Sequence, residues 1–217
     1  MTAVRVVLAD DHAIVAEALE ALLKTSFDLL TVVHDGRALL KSVEELRPDV
    51  VVTDISMPVL NGIDAVRQIK SIRPETKIVM LTMHAEVQLA VEAFRAGASG
   101  YVLKSSAGEE LITAIQEASK GRSYLTPLIA KDLLSVLIEA KSSGTPEAKI
   151  TGRQREVLQL IAEGRTMKEI ASILHISSRT AESHKYEMMQ TLGLGTTAEL
   201  IQYAIRLNLV AIPGRQQ

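Results

Sequence analysis

The stretch VVVTDISMP, residues 50–58, decides the fold that the sequence predicts for the first part of the chain. Three valines and a threonine run without interruption into the carboxylate of Asp54. An apolar run of this length is typical of a strand in a parallel sheet, which is covered on both faces. Asp54 then lies at the carboxyl end of that strand, where open α/β sheets bind their ligands. Taken alone, Asp54 is at least as readily explained as a helix N-cap or a turn residue.

Length and composition limit the class of protein. The chain has 217 residues, enough for one large domain or two small ones. No apolar run approaches the roughly 20 residues of a membrane-spanning helix, so we expect no membrane partner. The absence of cysteine excludes a disulfide framework and a thiolate metal site. Because the first residues lack the pattern of a secretory signal, we expect a cytoplasmic protein.

Apolar runs alternate with helical patterns over the first 121 residues. The predicted strands are Val4–Ala9, Leu29–Val33, Val50–Asp54, Lys77–Thr82 and Gly100–Lys104. The predicted helices are Ile14–Leu23, Arg37–Leu46, Ile63–Ile72, Glu86–Arg95 and Glu109–Lys120. This alternation predicts an α/β fold with a five-stranded, doubly wound parallel sheet.

Polar residues close the predicted strands, and parallel packing brings them to one edge of the sheet. The set consists of Asp10, Asp11, Asp54, Thr82 and Lys104. Three carboxylates repel one another unless a cation lies among them, and oxygen ligands suit Mg²⁺. A hydroxyl and an ammonium nearby can hold the oxygens of a phosphoryl group. One such residue is more often structural, but five at equivalent positions indicate a functional site.

A second domain follows a change in composition. The segment from Thr126 is amphipathic and predicts a connecting helix, and KSSGTPEAK at residues 141–149 has the composition of a linker. We therefore place the domains at residues 1–121 and 150–217, joined by residues 122–149. The first 149 residues carry 16 Lys/Arg against 20 Asp/Glu, and the remainder carry 8 against 6, which weakly favours a nucleic-acid-binding second domain.

Three capping boxes in the second domain each predict the start of a helix. They lie at Thr151–Gln154, Thr166–Glu169 and Thr196–Glu199. A tight turn at residues 175–177 separates the helix after the second box from a further helix, Ser178–Leu192. This spacing fits a helix-turn-helix, although a plain helical bundle explains the pattern about as well.

The strand-end residues resemble the receiver domain of bacterial two-component response regulators over roughly Met1–Gly121. The motifs are Asp10-Asp11, Asp54 with Met57-Pro58, Thr82 and Gly100–Lys104. The resemblance implies that Asp54 accepts a phosphoryl group from a histidine kinase. It implies that Asp11, Asp54 and the backbone carbonyl of Ser56 bind Mg²⁺, with Asp10 acting largely through metal-bound water.

The same resemblance assigns the residues around the phosphoryl group. Thr82 would hydrogen-bond one phosphoryl oxygen and Lys104 would pair with another. Tyr101 matches the switch aromatic, whose ring turns inward when Thr82 moves towards the phosphoryl group. Ser56 and His84 stand where side chains of this family influence the lifetime of that group.

The second domain resembles the LuxR-type helix-turn-helix, and the whole chain is similar to NarL/FixJ-family response regulators. The motifs are Glu156-Val157-Leu158, Ile161–Gly164, Lys168–Ala171, Ile176-Ser177, Thr180 and His184. By spacing, Ala181, His184, Met188 and Leu192 face inward on the recognition helix, and we expect His184 to be packed and hydrogen-bonded rather than a metal ligand. Glu182, Ser183, Lys185 and Tyr186 face outward, where the family reads the major groove.

The resemblance therefore predicts a phosphorylation-switched transcription regulator and not an enzyme. A homodimer that binds an inverted repeat in promoter DNA is expected when the protein is phosphorylated or bound to DNA, with a contact through the helix from Thr197 to Leu207.

Three other functions stay open. One is a phosphohydrolase with Asp54 as nucleophile, although Ser56 stands where its acid/base aspartate belongs. Another is a Rossmann nucleotide-binding protein, although no GxGxxG follows Ala9. The third is an interaction module that works unphosphorylated.

Overall fold

The chain divides into two compact units. The structure is a computed structural model that describes residues 3–130, 132–133 and 150–210. The first unit contains a parallel sheet and its helices, and the second contains the helices from Gly152 onward. The predicted linker at residues 141–149 and the later part of the predicted connecting helix lie outside the described residues.

Six parallel strands form the sheet, in the order β2-β1-β3-β4-β5-β6. They are β1 (Arg5–Ala9), β2 (Asp28–Val33), β3 (Val50–Thr53), β4 (Lys77–Thr82), β5 (Gly100–Leu103) and β6 (Tyr124–Leu125). This arrangement confirms the doubly wound parallel sheet and adds a sixth strand at one edge. Since β6 pairs with β5, the sheet includes residues beyond position 121 that the sequence had placed in the connecting segment. The strand order reverses between β1 and β3, which is the position where such sheets bind ligands.

Helices connect the strands of the first unit. They are α1 (Ala13–Lys24), α2 (Gly36–Leu46), α3 (Gly62–Ile72), α4 (Val87–Ala96) and α5 (Ala107–Ser119). Gly97 ends α4 with a φ of 110°, the left-handed conformation predicted for a glycine at this position. Two strands end one residue earlier than predicted, so that Asp54 follows β3 and Lys104 opens a short 3-10 turn after β5.

The central strands β1, β3, β4 and β5 are buried on both faces, which explains why they read as continuous apolar runs. Every residue of β3 is fully buried, from Val50 to Thr53. On one face the alternate residues of the central strands pack against α1 and α5. That cluster includes Val6, Leu8, Leu19, Leu23, Val50, Val52, Val79, Leu81, Val102, Leu111 and Ile115. The rigid sheet fixes the positions of the residues that follow its strands.

Four helices form the described part of the second unit. They are α6 (Gly152–Ala162), α7 (Met167–Leu174), α8 (Ser178–Leu192) and α9 (Thr197–Arg206). All three predicted capping boxes are present, at the starts of α6, α7 and α9. His175 ends α7 at a φ of 53° and Ser177 caps α8, which confirms the predicted turn. The apolar core of this unit includes Val157, Leu158, Ile161, Ile170, Leu174, Ala181, Met188, Leu200 and Ala204.

Gly62 allows α3 to begin directly against the backbone of Asp54. A Cβ at this position would overlap the carbonyl oxygen of Asp54. We expect Gly62→Ala to lower the free energy of unfolding by about 1–3 kcal/mol, because the overlap is relieved only by moving backbone. Urea denaturation of the full chain, followed by circular dichroism, measures this change.

Gly108→Ala is the matched control. Gly108 lies in α5, and an added Cβ there meets nothing within 4 Å. This variant should raise stability by up to about 1 kcal/mol, because alanine favours helix more than glycine does. Equal stability changes in the two variants would show that the close approach at Gly62 does not constrain the fold.

Candidate functional site

The residues that follow β1 and β3 meet at the carboxyl edge of the sheet. Asp10 and Asp54 are buried, with 0% and 3% of their surface exposed, whereas Asp11 lies at the mouth. Together with His12, these three aspartates offer ligand atoms that all lie within 4.8 Å of one another. The structure therefore brings together the three carboxylates that the sequence singled out.

Lys104 joins the two buried carboxylates. Its Nζ lies 2.6 Å from Oδ2 of Asp54 and 2.8 Å from Oδ2 of Asp10. Burial lowers the pKa of Lys104, but the charges and hydrogen bonds of Asp54 and Asp10 outweigh that effect and raise it above 10.5. The part of the stabilisation that depends on the charge of Lys104 is therefore lost as the pH rises through this raised pKa.

Asp54 is held at both of its carboxylate oxygens. Oδ1 accepts hydrogen bonds from the backbone N–H of Ile55 at 2.6 Å and, more weakly, from that of Ser56 at 3.4 Å. Oδ2 accepts from Lys104. A carboxylate held in this way keeps one orientation, which favours a reaction that depends on positioning.

Asp11 and His12 form the outer part of the site. Nδ1 of His12 lies 2.9 Å from Oδ1 of Asp11. Burial raises the pKa of the Asp11 carboxyl, with His12 opposing the rise and the nearby charges of Asp54 and Asp10 adding to it. The sequence interpretation missed His12, and its place directly after two aspartates was the signal for it. Asp10 also accepts a hydrogen bond from the backbone N–H of His12, at 2.9 Å.

His84 connects the residues on the other side of the site. Its backbone N–H donates to Oγ1 of Thr82 at 3.1 Å, and its Nε2 lies 3.0 Å from Oγ of Ser56. The hydroxyl of Tyr101 donates to the backbone carbonyl of His84 at 2.8 Å. Tyr101 is fully buried in this inward position, and burial raises the pKa of its hydroxyl far above the ordinary value.

The donor set fits a divalent cation. Two buried carboxylates and a third at the mouth face the single ammonium of Lys104, so the cluster retains negative charge. Carboxylate oxygens are the ligands that Mg²⁺ takes in proteins. Coordination by the backbone carbonyl of Ser56 stays a prediction.

The predicted reading face of α8 is largely exposed. Glu182, Ser183 and Tyr186 are exposed, with 63% of Tyr186 accessible, and Lys185 is partly exposed. The hydroxyl of Ser183 donates to the backbone carbonyl of Arg179 at 3.0 Å, so its hydrogen is used within the helix. Arg179 is itself exposed in the first turn of α8. The sequence interpretation missed this arginine, although a basic residue at the start of a recognition helix is a recognisable signal.

The opposite face of α8 is packed as predicted at Ala181 and Met188, which are fully buried. His184 and Leu192 are partly buried. Nδ1 of His184 is buried without a hydrogen-bond partner among the described residues, so the expected hydrogen bond would have to be made by Nε2 and stays a prediction. Its neighbour on the next turn is Glu187, whose Oε2 lies 4.0 Å away, beyond hydrogen-bond distance.

Two family models match the chain. Residues 6–116 match the response regulator receiver domain, and residues 148–204 match the bacterial regulatory proteins of the luxR family. The transcriptional regulatory protein MctR of Rhizobium johnstonii is 36% identical over 214 residues, which cover 97% of each chain. The chain belongs to the family of two-domain response regulators. This family comprises transcription regulators and not enzymes.

Solved response regulators share the fold. RcsB from Salmonella enterica serovar Typhimurium, bound to promoter DNA in the presence of the phosphomimetic BeF3−, matches with a TM-score of 0.60 and 27% identity over 95% of this chain and 100% of that one. A structure of two RcsB dimers on two parallel DNAs matches with a TM-score of 0.59 and 27% identity over the same shares. Family membership removes the phosphohydrolase and the Rossmann protein as alternatives. None of the described helices of this response regulator has the length and apolar character to cross a membrane.

The hydrogen bond from Tyr101 to His84 gives a testable contribution to stability. Tyr101→Phe should lower the free energy of unfolding by about 1 kcal/mol, because the backbone carbonyl of His84 loses its hydrogen-bond donor while the packing of the ring is kept. Urea denaturation of the full chain measures the change.

Tyr186→Phe provides the comparison at an exposed tyrosine. It should alter stability by less than about 0.5 kcal/mol, since no buried hydrogen bond is lost. If Tyr101→Phe is as stable as the wild type, the inward ring is held by packing alone.

Proposed function

We propose that this response regulator is a DNA-binding transcription regulator that is switched when Asp54 takes a phosphoryl group from a histidine kinase. The observation that carries the proposal is the position of Asp54, with its carboxylate fixed between Lys104 and the N–H of Ile55. Residues 1–121 together with β6 would form the receiver, residues 150–217 the DNA-binding domain and the intervening residues the connection. The protein would work in the cytoplasm.

The acidic cluster would hold Mg²⁺ through Asp11, Asp54 and the backbone carbonyl of Ser56, with Asp10 acting through a metal-bound water. Receiver domains bind this ion at their acidic pocket, and the donor set found here suits it. When bound, Mg²⁺ supplies positive charge that offsets the charge of the phosphoryl oxygens. It would also relieve the repulsion among the three aspartates.

The protein's own residues perform the remaining work of phosphoryl transfer. An oxygen of Asp54 attacks the phosphorus, and the donor group leaves on the opposite side with the bonding electrons. Lys104 already lies at hydrogen-bond distance from Asp54, so its ammonium can pair with a phosphoryl oxygen without a large movement. Phosphoryl transfer depends mainly on such positioning and charge neutralisation.

His84 links Thr82, beside the phosphorylation site, to Tyr101 through hydrogen bonds of its backbone. Thr82 accepts a hydrogen bond from the backbone of His84, and Tyr101 donates one to its carbonyl. A movement of Thr82 towards a phosphoryl oxygen would therefore shift the backbone of His84 and alter the hydrogen bond that holds the hydroxyl of Tyr101. A phosphoryl group can switch the protein only to the extent that it binds one arrangement of these residues better than the other.

DNA would be contacted by the exposed face of α8. Arg179 and Lys185 supply positive charge, and the hydroxyl of Tyr186 can reach phosphates or base edges. Glu182 can accept a hydrogen bond from cytosine N4, and Ser183, whose hydrogen is used by Arg179, can offer its hydroxyl oxygen as an acceptor. Glu182 and Glu187 balance the two basic side chains, so one helix has little net charge with which to attract DNA. Two copies on an inverted repeat would combine two weak contacts into a stronger one.

The surface for dimerisation would lie on the exposed side of α9. Leu200 and Ile201 are neighbouring apolar residues of the helix predicted to make this contact, but Leu200 is fully buried in the core of its own unit. A charge at Leu200 would unfold the domain and would not test dimerisation. Ile201 is partly exposed and remains a suitable position for that test.

Asp54→Asn should fold normally and take no phosphoryl group, because an amide is a poor nucleophile. Incubation with a small phosphodonor and Mg²⁺, followed by intact-mass measurement, tests this. Asp35→Asn is the matched control: Asp35 caps α2 through its side chain, a role that asparagine also fills.

We expect the wild type and Asp35→Asn to gain one phosphoryl group at similar rates, and EDTA to slow both. A mass increase of one phosphoryl group in Asp54→Asn would assign the acceptor to another residue. An unchanged rate in EDTA would remove Mg²⁺ from the mechanism.

Lys185→Ala should weaken DNA binding and reduce its salt dependence by about one unit of slope, because one phosphate contact is lost. Binding of the full chain to a promoter fragment, measured over a range of salt concentrations, tests this. Lys41→Ala in α2 is the control for loss of an exposed lysine.

Lys41→Ala should bind DNA like the wild type, and Lys185→Ala should still be phosphorylated at Asp54. If Lys185→Ala and the wild type bind equally well at every salt concentration, α8 does not contact DNA through this residue.

A further inference from the structure

The imidazole of His12 belongs to the same cluster as the three aspartates. Its Nδ1 lies 2.9 Å from Oδ1 of Asp11, 3.5 Å from Oδ1 of Asp10 and 4.0 Å from Oδ2 of Asp54. The carboxylates alone suit a hard ion such as Mg²⁺, whereas an imidazole nitrogen suits zinc, copper, nickel and iron. The cluster therefore contains a donor that the binding of Mg²⁺ does not require.

We propose that His12 is a metal ligand and that it enables this pocket to bind Zn²⁺, through Nδ1 and the surrounding carboxylates, in competition with Mg²⁺. The proposal deepens the proposed function, since it rests on the acidic pocket being a metal site. The proposal adds His12 to the ligands of that site and adds Zn²⁺ to the ions that the site binds.

The distances between donor atoms fit a zinc ion. Zinc binds nitrogen and carboxylate oxygen at about 2.0–2.2 Å in tetrahedral geometry, which separates its ligand atoms by about 3.4 Å. Nδ1 of His12 lies close to this separation from Oδ1 of Asp10 and within about 0.6 Å of it from Oδ1 of Asp11 and Oδ2 of Asp54. All the donor atoms of the cluster lie within 4.8 Å of one another, so they must draw closer around the ion, and Oδ2 of Asp54 would have to be shared with Lys104. The buried carboxylates of Asp10 and Asp54 are fixed, so the adjustment would come from His12 and Asp11, whose side chains are 59% and 31% accessible.

The fold does not require the ring of His12 elsewhere. His12 is the N-cap residue of α1, but its side chain makes no capping hydrogen bond. The backbone N–H makes the bond to Asp10, and that bond survives a change of side chain. Replacing the imidazole should therefore alter the metal site without altering the start of α1.

A competing explanation is that His12 serves only as an ion-pair partner of Asp11 at the mouth of the site. An ion pair between partly exposed groups stabilises a protein by about 0–1 kcal/mol and selects no metal. The two explanations differ in one respect. A ligand role predicts that loss of the ring weakens Zn²⁺ binding and leaves Mg²⁺ binding nearly unchanged, whereas an ion-pair role predicts no loss of Zn²⁺ binding.

Titration calorimetry of the full chain, prepared without a histidine tag, distinguishes them. Zn²⁺ and Mg²⁺ are titrated separately into the wild type, His12→Ala and His175→Asn. His175 is an exposed histidine of the second unit in the left-handed conformation that asparagine tolerates, so His175→Asn controls for zinc held by a remote imidazole. Asp54→Asn is included to place the ion at this pocket.

His12→Ala should bind Zn²⁺ about 10- to 100-fold more weakly than the wild type, since loss even of a residue that supports a ligand costs that much. Mg²⁺ affinity should change by less than about 3-fold, because Mg²⁺ usually retains several waters and needs only one or two carboxylates. His175→Asn should match the wild type for both ions, and Asp54→Asn should weaken both.

A visible absorption spectrum with Co²⁺ in place of Zn²⁺ gives a second readout. The wild type should develop the intense bands of four-coordinate Co²⁺, and His12→Ala should lose most of that intensity. Equal Zn²⁺ affinities and equal Co²⁺ spectra for the two proteins would overturn the proposal. Failure of the wild type to bind Mg²⁺ would instead count against the Mg²⁺ part of the proposed function, while the zinc measurements would still decide the role of His12.

Discussion

The ammonium of Lys104, placed between the buried carboxylates of Asp10 and Asp54, is the interaction on which the first unit depends. Burying charges is costly unless they are paired, and loss of the Lys104 ammonium would leave two buried carboxylates uncompensated, which typically costs about 3–5 kcal/mol. Yet one ammonium does not balance three aspartates. The pairing therefore holds the carboxylate of Asp54 in one orientation, and the cluster keeps the excess of negative charge on which the proposed binding of a cation rests.

The parallel sheet is what makes this pairing possible. Asp10, Asp54 and Lys104 are far apart in the chain, but each follows a different strand, and β1, β3, β4 and β5 are neighbours in the sheet. The strands are buried on both faces and cannot shift without exposing valine and leucine side chains. The packing of the buried strands therefore also fixes the positions of Asp10, Asp54 and Lys104 at the edge of the sheet.

The sequence predicted what depends on local patterns. Buried strands appear as runs of valine, and the three capping boxes follow from hydrogen bonds between residues three apart. The acidic edge was predictable because strand ends determine where residues meet. Strand β6 was not, since two residues carry no periodicity and are ordered by pairing with β5.

The errors concern burial and contacts between helices. Leu200 and Ile201 are neighbouring apolar residues, and only the packing of α9 shows that the first lies in the core. The sequence also could not say which nitrogen of His184 would be hydrogen-bonded, and Nδ1 meets no partner in the described part of the second unit. His12 was overlooked although it directly follows two aspartates; that position indicates only proximity, and the structure shows that its ring turns towards the carboxylates.

The central claim is that phosphorylation at Asp54 controls binding of DNA by the second unit. The most direct measurement compares the affinity of the full chain for a promoter fragment in Mg²⁺ with and without a phosphodonor, at fixed salt and with phosphorylation verified by mass. The wild type should bind about 5- to 150-fold more tightly when phosphorylated, the range expected for coupling between two sites, and Asp54→Asn should not respond. Equal affinities of the phosphorylated and unphosphorylated wild type would contradict the account.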